Sequence, residues 1–136
     1  MTVTCSDGYS GGGTATCQSG GTFNTLTCTA CSAGTYQGNT GQSSCTNASV
    51  GYYVDTTAAT SQTACLAGTY NPNPASSSSS DCIDASAGYY TSSAGSGSQT
   101  ACAAGTYQPS TGQTSCIDAD AGYYVSSTGL ASQTAC

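Results

Sequence analysis

Cysteine and aspartate are the residue types in this chain that are best suited to chemistry. The chain has ten Cys and six acidic residues, all of them Asp, and it contains no Lys, Arg, His or Glu. A catalytic nucleophile needs a base beside it, and the usual bases are missing. Regularly spaced cysteines without histidine indicate disulfides rather than zinc. We therefore predict a protein without enzymatic activity or a cofactor, secreted or at the cell surface, where thiols are oxidised.

The aspartates offer one weak alternative to a purely structural role. Asp118 and Asp120 lie two residues apart in the string CIDADAG, and Asp84 repeats the first of them. Residues two apart on an extended strand face the same side, and calcium binds six or more oxygen ligands. We favour a solvated acidic turn, with a weak calcium site that also uses backbone carbonyls as the alternative.

Hydroxyl-rich segments predict attached sugars. Asn47 begins the string Asn-Ala-Ser, which is an N-glycosylation sequon. A run of five serines follows two prolines, which is typical of mucin-like O-glycosylated segments. The candidate O-glycosylation sites are Ser76, Ser77, Ser78, Ser79 and Ser80. A plain flexible turn is the alternative for this run.

The composition leaves little material for a hydrophobic core. Val, Ile, Leu and Phe together number ten among 136 residues, and Trp is absent. Each disulfide that closes a loop of about 15 residues is worth about 3 kcal/mol, so several disulfides replace the missing apolar burial. Because Lys, Arg and His are all absent, the chain has no basic patch, and nucleic acid is not expected as a partner. No apolar run is long enough to insert this segment into a membrane.

A repeat organises the chain from residue 31 onward. Its glycines follow one another in steps of 17, 17, 20, 17 and 17 residues, at Gly34, Gly51, Gly68, Gly88, Gly105 and Gly122. Alternate repeats carry Gly-Thr-Tyr and Gly-Tyr-Tyr, and we call them single-Tyr and double-Tyr repeats. A fixed period of this kind predicts stacked units that contact only their neighbours. We predict a small disulfide-rich all-β fold, an elongated rod of short hairpin repeats, with double repeats at 31–64, 65–101 and 102–136.

Residues 1–30 are predicted to form a separate module. Residues 2–28 alternate Thr, Val and Tyr with Gly turns, which favours small β-strands. Cys5, Gly8-Tyr9, Cys17, Gly21-Thr-Phe23 and Cys28 resemble the second half of a sushi (complement-control) module. The resemblance implies that Cys5 pairs with Cys28 and that Cys17 has no partner within the chain.

Residues 28–45, CTACSAGTYQGNTGQSSC, are similar to the EGF-like, ephrin-receptor-type cysteine-rich repeat, a relative of tumour-necrosis-factor-receptor modules. Similar repeats occur in long surface proteins of algae and protists. In the family, the cysteine three residues before the glycine pairs with the cysteine that ends the unit. The resemblance implies the pairs Cys31–Cys45, Cys65–Cys82 and Cys102–Cys116, with Cys17 and Cys136 left unpaired or inter-chain.

A second pairing satisfies every cysteine within the chain. It keeps Cys5–Cys28 and joins Cys45–Cys65, Cys82–Cys102, Cys116–Cys136 and Cys17–Cys31. Loop length barely separates the two schemes, because the closure cost grows only with the logarithm of loop length.

The sequence predicts a structural rather than a catalytic function. Near-identical repeats and incomplete end modules favour a subunit of an extracellular fibre or surface appendage. Its predicted partners are attached glycans and copies of the chain itself, joined head to tail with Cys136 near Cys17 of the next copy. The alternative is the ectodomain or stalk of an adhesion or receptor protein that binds a protein or carbohydrate. We also expect the chain to be a mature or internal piece of a longer precursor.

Overall fold

Short β-strands make up the chain in the computed structural model, which describes residues 2–14 and 27–136. Strands two residues long predominate, because each repeat is only long enough for one narrow hairpin between two turns. The strands in chain order are β1 Thr2–Thr4, β2 Tyr9–Thr14, β3 Cys28–Ala30, β4 Thr35–Tyr36, β5 Thr46–Asn47, β6 Tyr52–Tyr53, β7 Thr63–Ala64, β8 Thr69–Tyr70, β9 Ile83–Asp84, β10 Tyr89–Tyr90, β11 Thr100–Ala101, β12 Thr106–Tyr107, β13 Ile117–Asp118, β14 Tyr123–Tyr124 and β15 Thr134–Ala135. A 3₁₀ turn spans Ser79–Asp81.

The strands pair as antiparallel hairpins. β1, β2 and β3 form a three-stranded sheet, and every later strand pairs with its neighbour in sequence, from β4–β5 to β14–β15. The prediction of a small disulfide-rich all-β fold built from short hairpins is confirmed.

A tight turn leads into the hairpins. The Thr35 N–H donates to the Ser32 carbonyl at 3.0 Å, with Gly34 between them at a φ of 86°. A positive φ at the third residue of a hydrogen-bonded turn is the signature of a type II turn and favours glycine there. The same turn recurs at Gly68, Gly88, Gly105 and Gly122.

The chain divides into two compact units, each made of several segments. The first contains Met1–Ser49, Tyr53–Thr63 and Ala75–Ser78, and the second contains Val50–Tyr52, Ala64–Pro74 and Ser79–Cys136. The boundaries predicted at residues 30, 64 and 101 follow the sequence repeats and stay predictions.

Small residues occupy the buried centre of each unit. Cys5, Cys31, Ala48 and Val54 are buried in the first unit, and Cys65, Ala85, Cys102 and Val125 are buried in the second. Larger apolar side chains lie outside these centres, as Leu66 shows with 76% of its surface exposed. The core is therefore as thin as the composition predicted.

The amino-terminal sheet lies where a sushi-like half-module was predicted. β2 pairs with β1 in the register Val3↔Gly13, and with β3 in the register Ser10↔Thr29. Cys17, Gly21 and Phe23 lie outside the described residues, so the sushi assignment stays a prediction.

Candidate functional site

A backbone hydrogen-bond ladder joins successive repeats, and it is the most regular feature within each unit. Three positions of the repeat build it. The motif glycine is the glycine of the type II turn. The post-tyrosine residue directly follows the last tyrosine of the repeat. The left-handed residue is the residue with positive φ in the turn that comes after the post-tyrosine residue.

The first bond of the ladder starts at the motif glycine. Its N–H donates to the carbonyl of the post-tyrosine residue in the following repeat, with N···O distances of 2.7–2.9 Å. The donor and acceptor pairs are Gly8 and Gln37, Gly34 and Val54, Gly51 and Asn71, Gly68 and Thr91, Gly88 and Gln108, and Gly105 and Val125.

The second and third bonds run in opposite directions. The post-tyrosine N–H donates onward to the next turn, as Thr91 does to the Gln113 carbonyl at 3.0 Å. The left-handed residue donates back to a buried Cys or Ala, as Gly112 does to the Ala85 carbonyl at 2.8 Å. Because these donors and acceptors are backbone groups, the ladder tolerates alternation of the side chains.

Close packing is a second reason why the motif position requires glycine. A Cβ built on Gly88 would lie 2.2 Å from the carbonyl oxygen of Gly129, and one on Gly51 would lie 2.1 Å from that of Gly95. Both partners are left-handed residues two repeats further along the chain. The prediction that each repeat contacts only its neighbours is therefore wrong, since the absence of a side chain lets backbone two repeats away pack against the glycine.

Disulfides close the single-Tyr repeats. The structure pairs Cys31–Cys45, Cys65–Cys82 and Cys102–Cys116, each with Cα atoms 5.7 Å apart. Cys5 pairs with Cys28 at 5.5 Å, and Cys136 is free and exposed. These separations fit the geometry of a disulfide, and the pairs coincide with those implied by the family resemblance.

A buried amide side chain organises the turn of each single-Tyr repeat. The Gln108 Nε2 group donates to the Ser115 carbonyl at 2.8 Å, and its Oε1 atom accepts the Ser110 N–H at 3.1 Å. Gln37 makes the equivalent two bonds in the first unit. Sequence analysis missed these glutamines, although their place directly after the tyrosine is a signal that recurs at the same spacing.

A glutamine replaces the disulfide in each double-Tyr repeat. Its Oε1 atom accepts a backbone N–H 13 residues earlier at 2.7 Å, and the three pairs are Gln62 with Ser49, Gln99 with Ser86 and Gln133 with Asp120. When the repeats are aligned on their motif glycines, Gln99 occupies the position of Cys116, and buried Ala85 occupies that of Cys102. The pairing implied by the family resemblance leaves the double-Tyr repeats without a disulfide, and in the structure a side-chain hydrogen bond closes each of them.

Tyrosines line the outside of the hairpins rather than the core. In the double-Tyr repeats at Gly51 and Gly88 they are half-buried, whereas Tyr123 and Tyr124 are 46% and 48% exposed. A shallow cleft of about 300 Å³ lies beside one of these rings, lined by Tyr90, Ala101, Ala103, Thr106, Ser115 and Cys116. Most of the side chains that line the cleft are small, and the Thr106 hydroxyl already donates a hydrogen bond to the Ala103 carbonyl.

The predicted acidic site and the predicted glycosylation sites are mostly exposed. The Asp120 carboxylate accepts a hydrogen bond from the Gln133 side chain. No group of three potential metal-binding side chains occurs in the described ranges 2–14 and 27–136. Asn47 is exposed, and so are Ser77, Ser79 and Ser80, whereas Ser78 is half-buried and Ser76 is only 7% exposed.

Comparison with known proteins agrees with the disulfide pattern. Residues 20–65, about a third of the chain, match the family model described as tyrosine-protein kinase ephrin type A/B receptor-like. No curated protein matches the chain. Within the described part of the chain, no helix has the length and hydropathy needed to cross a bilayer. The match and the four disulfides support cysteine-rich repeats of an extracellular or cell-surface, receptor-like kind.

Proposed function

We propose that this chain is a stalk segment of an extracellular or cell-surface ectodomain, in which stacked repeats hold another domain away from the surface. The observation that carries the proposal is the backbone ladder, which repeats the same three bonds whichever side chains occupy the positions. A module whose backbone hydrogen bonds between repeats stay the same while its side chains vary is suited to holding two domains apart rather than to recognising a ligand.

Repeat deletion on a cell surface tests the stalk proposal. The chain is displayed with an amino-terminal fluorescent tag and a carboxy-terminal membrane anchor, and the height of the tag above the membrane is measured. Deletion of residues 65–101 removes one double repeat and joins Ala64 to Cys102, which restores the original junction because Cys102 and Cys65 are equivalent. We expect a lower tag, and a second copy of residues 65–101 should raise it by the same step. An unchanged height in both variants would refute the proposal.

A second candidate is a subunit of an extracellular fibre. The exposed thiol of Cys136 favours it, because a cysteine at the surface is accessible to another molecule. In this proposal Cys136 and Cys17 of the next copy form a disulfide, with two protons and two electrons passing to an extracellular disulfide oxidant. Electrophoresis without reductant should then show a ladder of multimers that collapses on reduction and is absent from the Cys136→Ser variant. A monomer band in wild-type protein would eliminate the covalent fibre.

We also propose that sugars decorate the stalk. The Asn47 side chain is exposed on β5, and exposed serines follow the prolines near residue 74. Secretion from a eukaryotic host, followed by treatment with a peptide N-glycosidase, should lower the mass of wild-type protein but not of Asn47→Gln. Equal masses before and after treatment would leave Asn47 unmodified and would contradict that part of the proposal.

A further inference from the structure

Both isoleucines of the chain lie on the outside of the second unit, although large apolar residues are scarce in this protein. Ile83 and Ile117 are 45% and 46% exposed, whereas the buried apolar residues of the same unit are Cys, Ala and Val. Ile83 lies in the middle of the unit, with repeats before and after it. Its exposure is therefore a property of the hairpin.

Each isoleucine stands directly opposite a tyrosine. Ile83 pairs with Tyr70 across one hairpin, and Ile117 pairs with Tyr107 across another. Directly opposite residues of an antiparallel pair place their side chains on the same face, so each pair forms one apolar patch. Both tyrosines are half-buried, so part of each ring adds to the exposed surface.

An aspartate follows each isoleucine. Asp84 and Asp118 are exposed, and the chain contains no Lys, Arg or His to pair with them. The two single-Tyr hairpins lie in contact, because the Asp84 carboxylate is 3.5 Å from the point where a Cβ on Gly112 would stand, in the turn of the second hairpin. We call the surface of the two hairpins the Ile-Asp face, and it consists of Tyr70, Ile83, Asp84, Tyr107, Ile117 and Asp118.

The first unit lacks both properties of this face. Its single-Tyr hairpin pairs Tyr36 with Thr46, and Asn47 follows. Threonine and isoleucine are both β-branched and favour strands, so the hairpin itself does not require isoleucine. The apolar side chain and the negative charge are present together in one unit and absent together from the other, as expected if one partner contacts both.

We propose that the Ile-Asp face binds a basic, apolar peptide segment of another protein. Charge complementarity identifies this occupant, because Asp84 and Asp118 attract Lys or Arg while the isoleucines and tyrosines cover the apolar side chains beside them. A second copy of this chain has a net charge of −6 and no basic side chain, so it would be repelled. A neutral sugar would leave both carboxylates without a counter-charge. The inference goes beyond the stalk proposal and does not depend on it.

A labelled octapeptide of alternating Lys and Leu is the probe for this face. Fluorescence anisotropy measures its dissociation constant with wild-type protein and with Ile83→Thr/Ile117→Thr, which copies Thr46 of the first unit. We expect the variant to bind at least about tenfold more weakly, because it loses apolar contact and keeps its charge. An octapeptide of alternating Lys and Ser should bind wild-type protein just as weakly. Equal binding of the two peptides would overturn the proposal.

Two charge variants separate the face from the net charge of the protein. Asp84→Asn/Asp118→Asn and Asp7→Asn/Asp55→Asn each remove two exposed carboxylates, the first pair on the face and the second pair in the first unit. We expect the first variant to weaken binding at least about fivefold at low salt, and the second by less than about twofold. Equal weakening by both would indicate general attraction to an acidic protein and would overturn the proposal.

A charge swap tests the face by a gain of binding, which damage to the fold cannot produce. Asp84→Lys/Asp118→Lys should bind an octapeptide of alternating Glu and Leu and lose the Lys and Leu peptide, although its net charge stays negative. No binding of the Glu and Leu peptide by the folded variant would contradict the proposal.

Two further measurements address the other occupants. Sedimentation equilibrium of wild-type protein tests for a second copy, and calorimetry with a neutral glucose oligosaccharide tests for a sugar. Dimerisation or oligosaccharide binding that disappears in Ile83→Thr/Ile117→Thr would assign the face to that occupant and would overturn the proposal. A monomer that ignores the oligosaccharide and binds the Lys and Leu peptide is the expected result.

Discussion

The single-Tyr repeat at residues 102–118 and the double-Tyr repeat at residues 85–101 share one backbone and differ in how each is closed. Cys102 and Cys116 form a covalent bond in the first, while Gln99 accepts one hydrogen bond from Ser86 in the second. Their motif glycines have φ values of 86° and 85°, and both donate a ladder bond. The backbone frame therefore does not depend on the disulfide, which acts on the stability of a repeat rather than on its geometry.

The strongest test of this comparison is a methyl group on a motif glycine. We expect Gly88→Ala to lower the free energy of unfolding by about 4 kcal/mol, the sum of left-handed strain and overpacking. The overpacking arises because its Cβ would lie 2.2 Å from the Gly129 oxygen. Gly122→Ala is the matched control, with a φ of 85° and open space, and should cost about 1 kcal/mol. Urea unfolding of the oxidised proteins measures both, and equal losses would show that packing two repeats away is unimportant.

Removal of a disulfide should have the next largest effect. We expect the double variant Cys65→Ala/Cys82→Ala to lose about 3 kcal/mol of unfolding free energy, because the unfolded chain gains the freedom of a 17-residue loop. The ladder amide of Gly68 should still exchange slowly under native conditions, since its bond to Thr91 is a backbone bond. Loss of that protection under native conditions would mean that the disulfide sets the geometry after all.

Adding a disulfide to a double-Tyr repeat tests the same equivalence in the other direction. Ala85 and Gln99 stand where Cys102 and Cys116 stand one repeat later. We expect Ala85→Cys/Gln99→Cys to oxidise and to raise the unfolding free energy by about 2 kcal/mol, which is less than a native disulfide because the fit is untuned. Without reductant, the intact mass of the variant should be two hydrogens lower than the mass calculated with free thiols at residues 85 and 99. Two free thiols in the folded variant would contradict the structural equivalence.

The two kinds of glutamine should differ in how much each contributes to the free energy of unfolding. Gln108 is 4% exposed and makes two hydrogen bonds, whereas the single bond that Gln99 accepts from the Ser86 N–H is exposed. We expect Gln108→Ala to cost about 2 kcal/mol and Gln99→Ala about 0.5 kcal/mol. Thermal melts of the two variants provide the measurement, and a larger loss for Gln99→Ala would reverse this ranking.

A small gain in stability, rather than a loss, is expected at Thr91. Its hydroxyl is buried without a hydrogen-bond partner, while Val54 and Val125 occupy the same position in the other double-Tyr repeats. We expect Thr91→Val to raise the unfolding free energy by about 1 kcal/mol, because the shape is kept and an unsatisfied polar group is removed. Thr91→Ser is the control, since it keeps the hydroxyl, and it should not stabilise. A loss of stability in Thr91→Val would indicate that the hydroxyl has a partner in solution.

The sequence by itself determined the fold class of this protein and the nature of its stabilisation. Ten cysteines without histidine, too few apolar residues and a fixed glycine period require short disulfide-linked hairpins, because these features act locally along the chain. The family resemblance supplied the disulfide pairing, because the spacing of the cysteines alone left two schemes open.

Only the tertiary structure decided which groups join the repeats. The tyrosines are the largest apolar side chains of each repeat, but small residues and the post-tyrosine residues fill the buried centres. The clash that requires glycine at position 51 involves Gly95, two repeats further along. The bonds between repeats are made by backbone N–H and carbonyl groups, which every residue except proline carries, so side-chain identity could not reveal them.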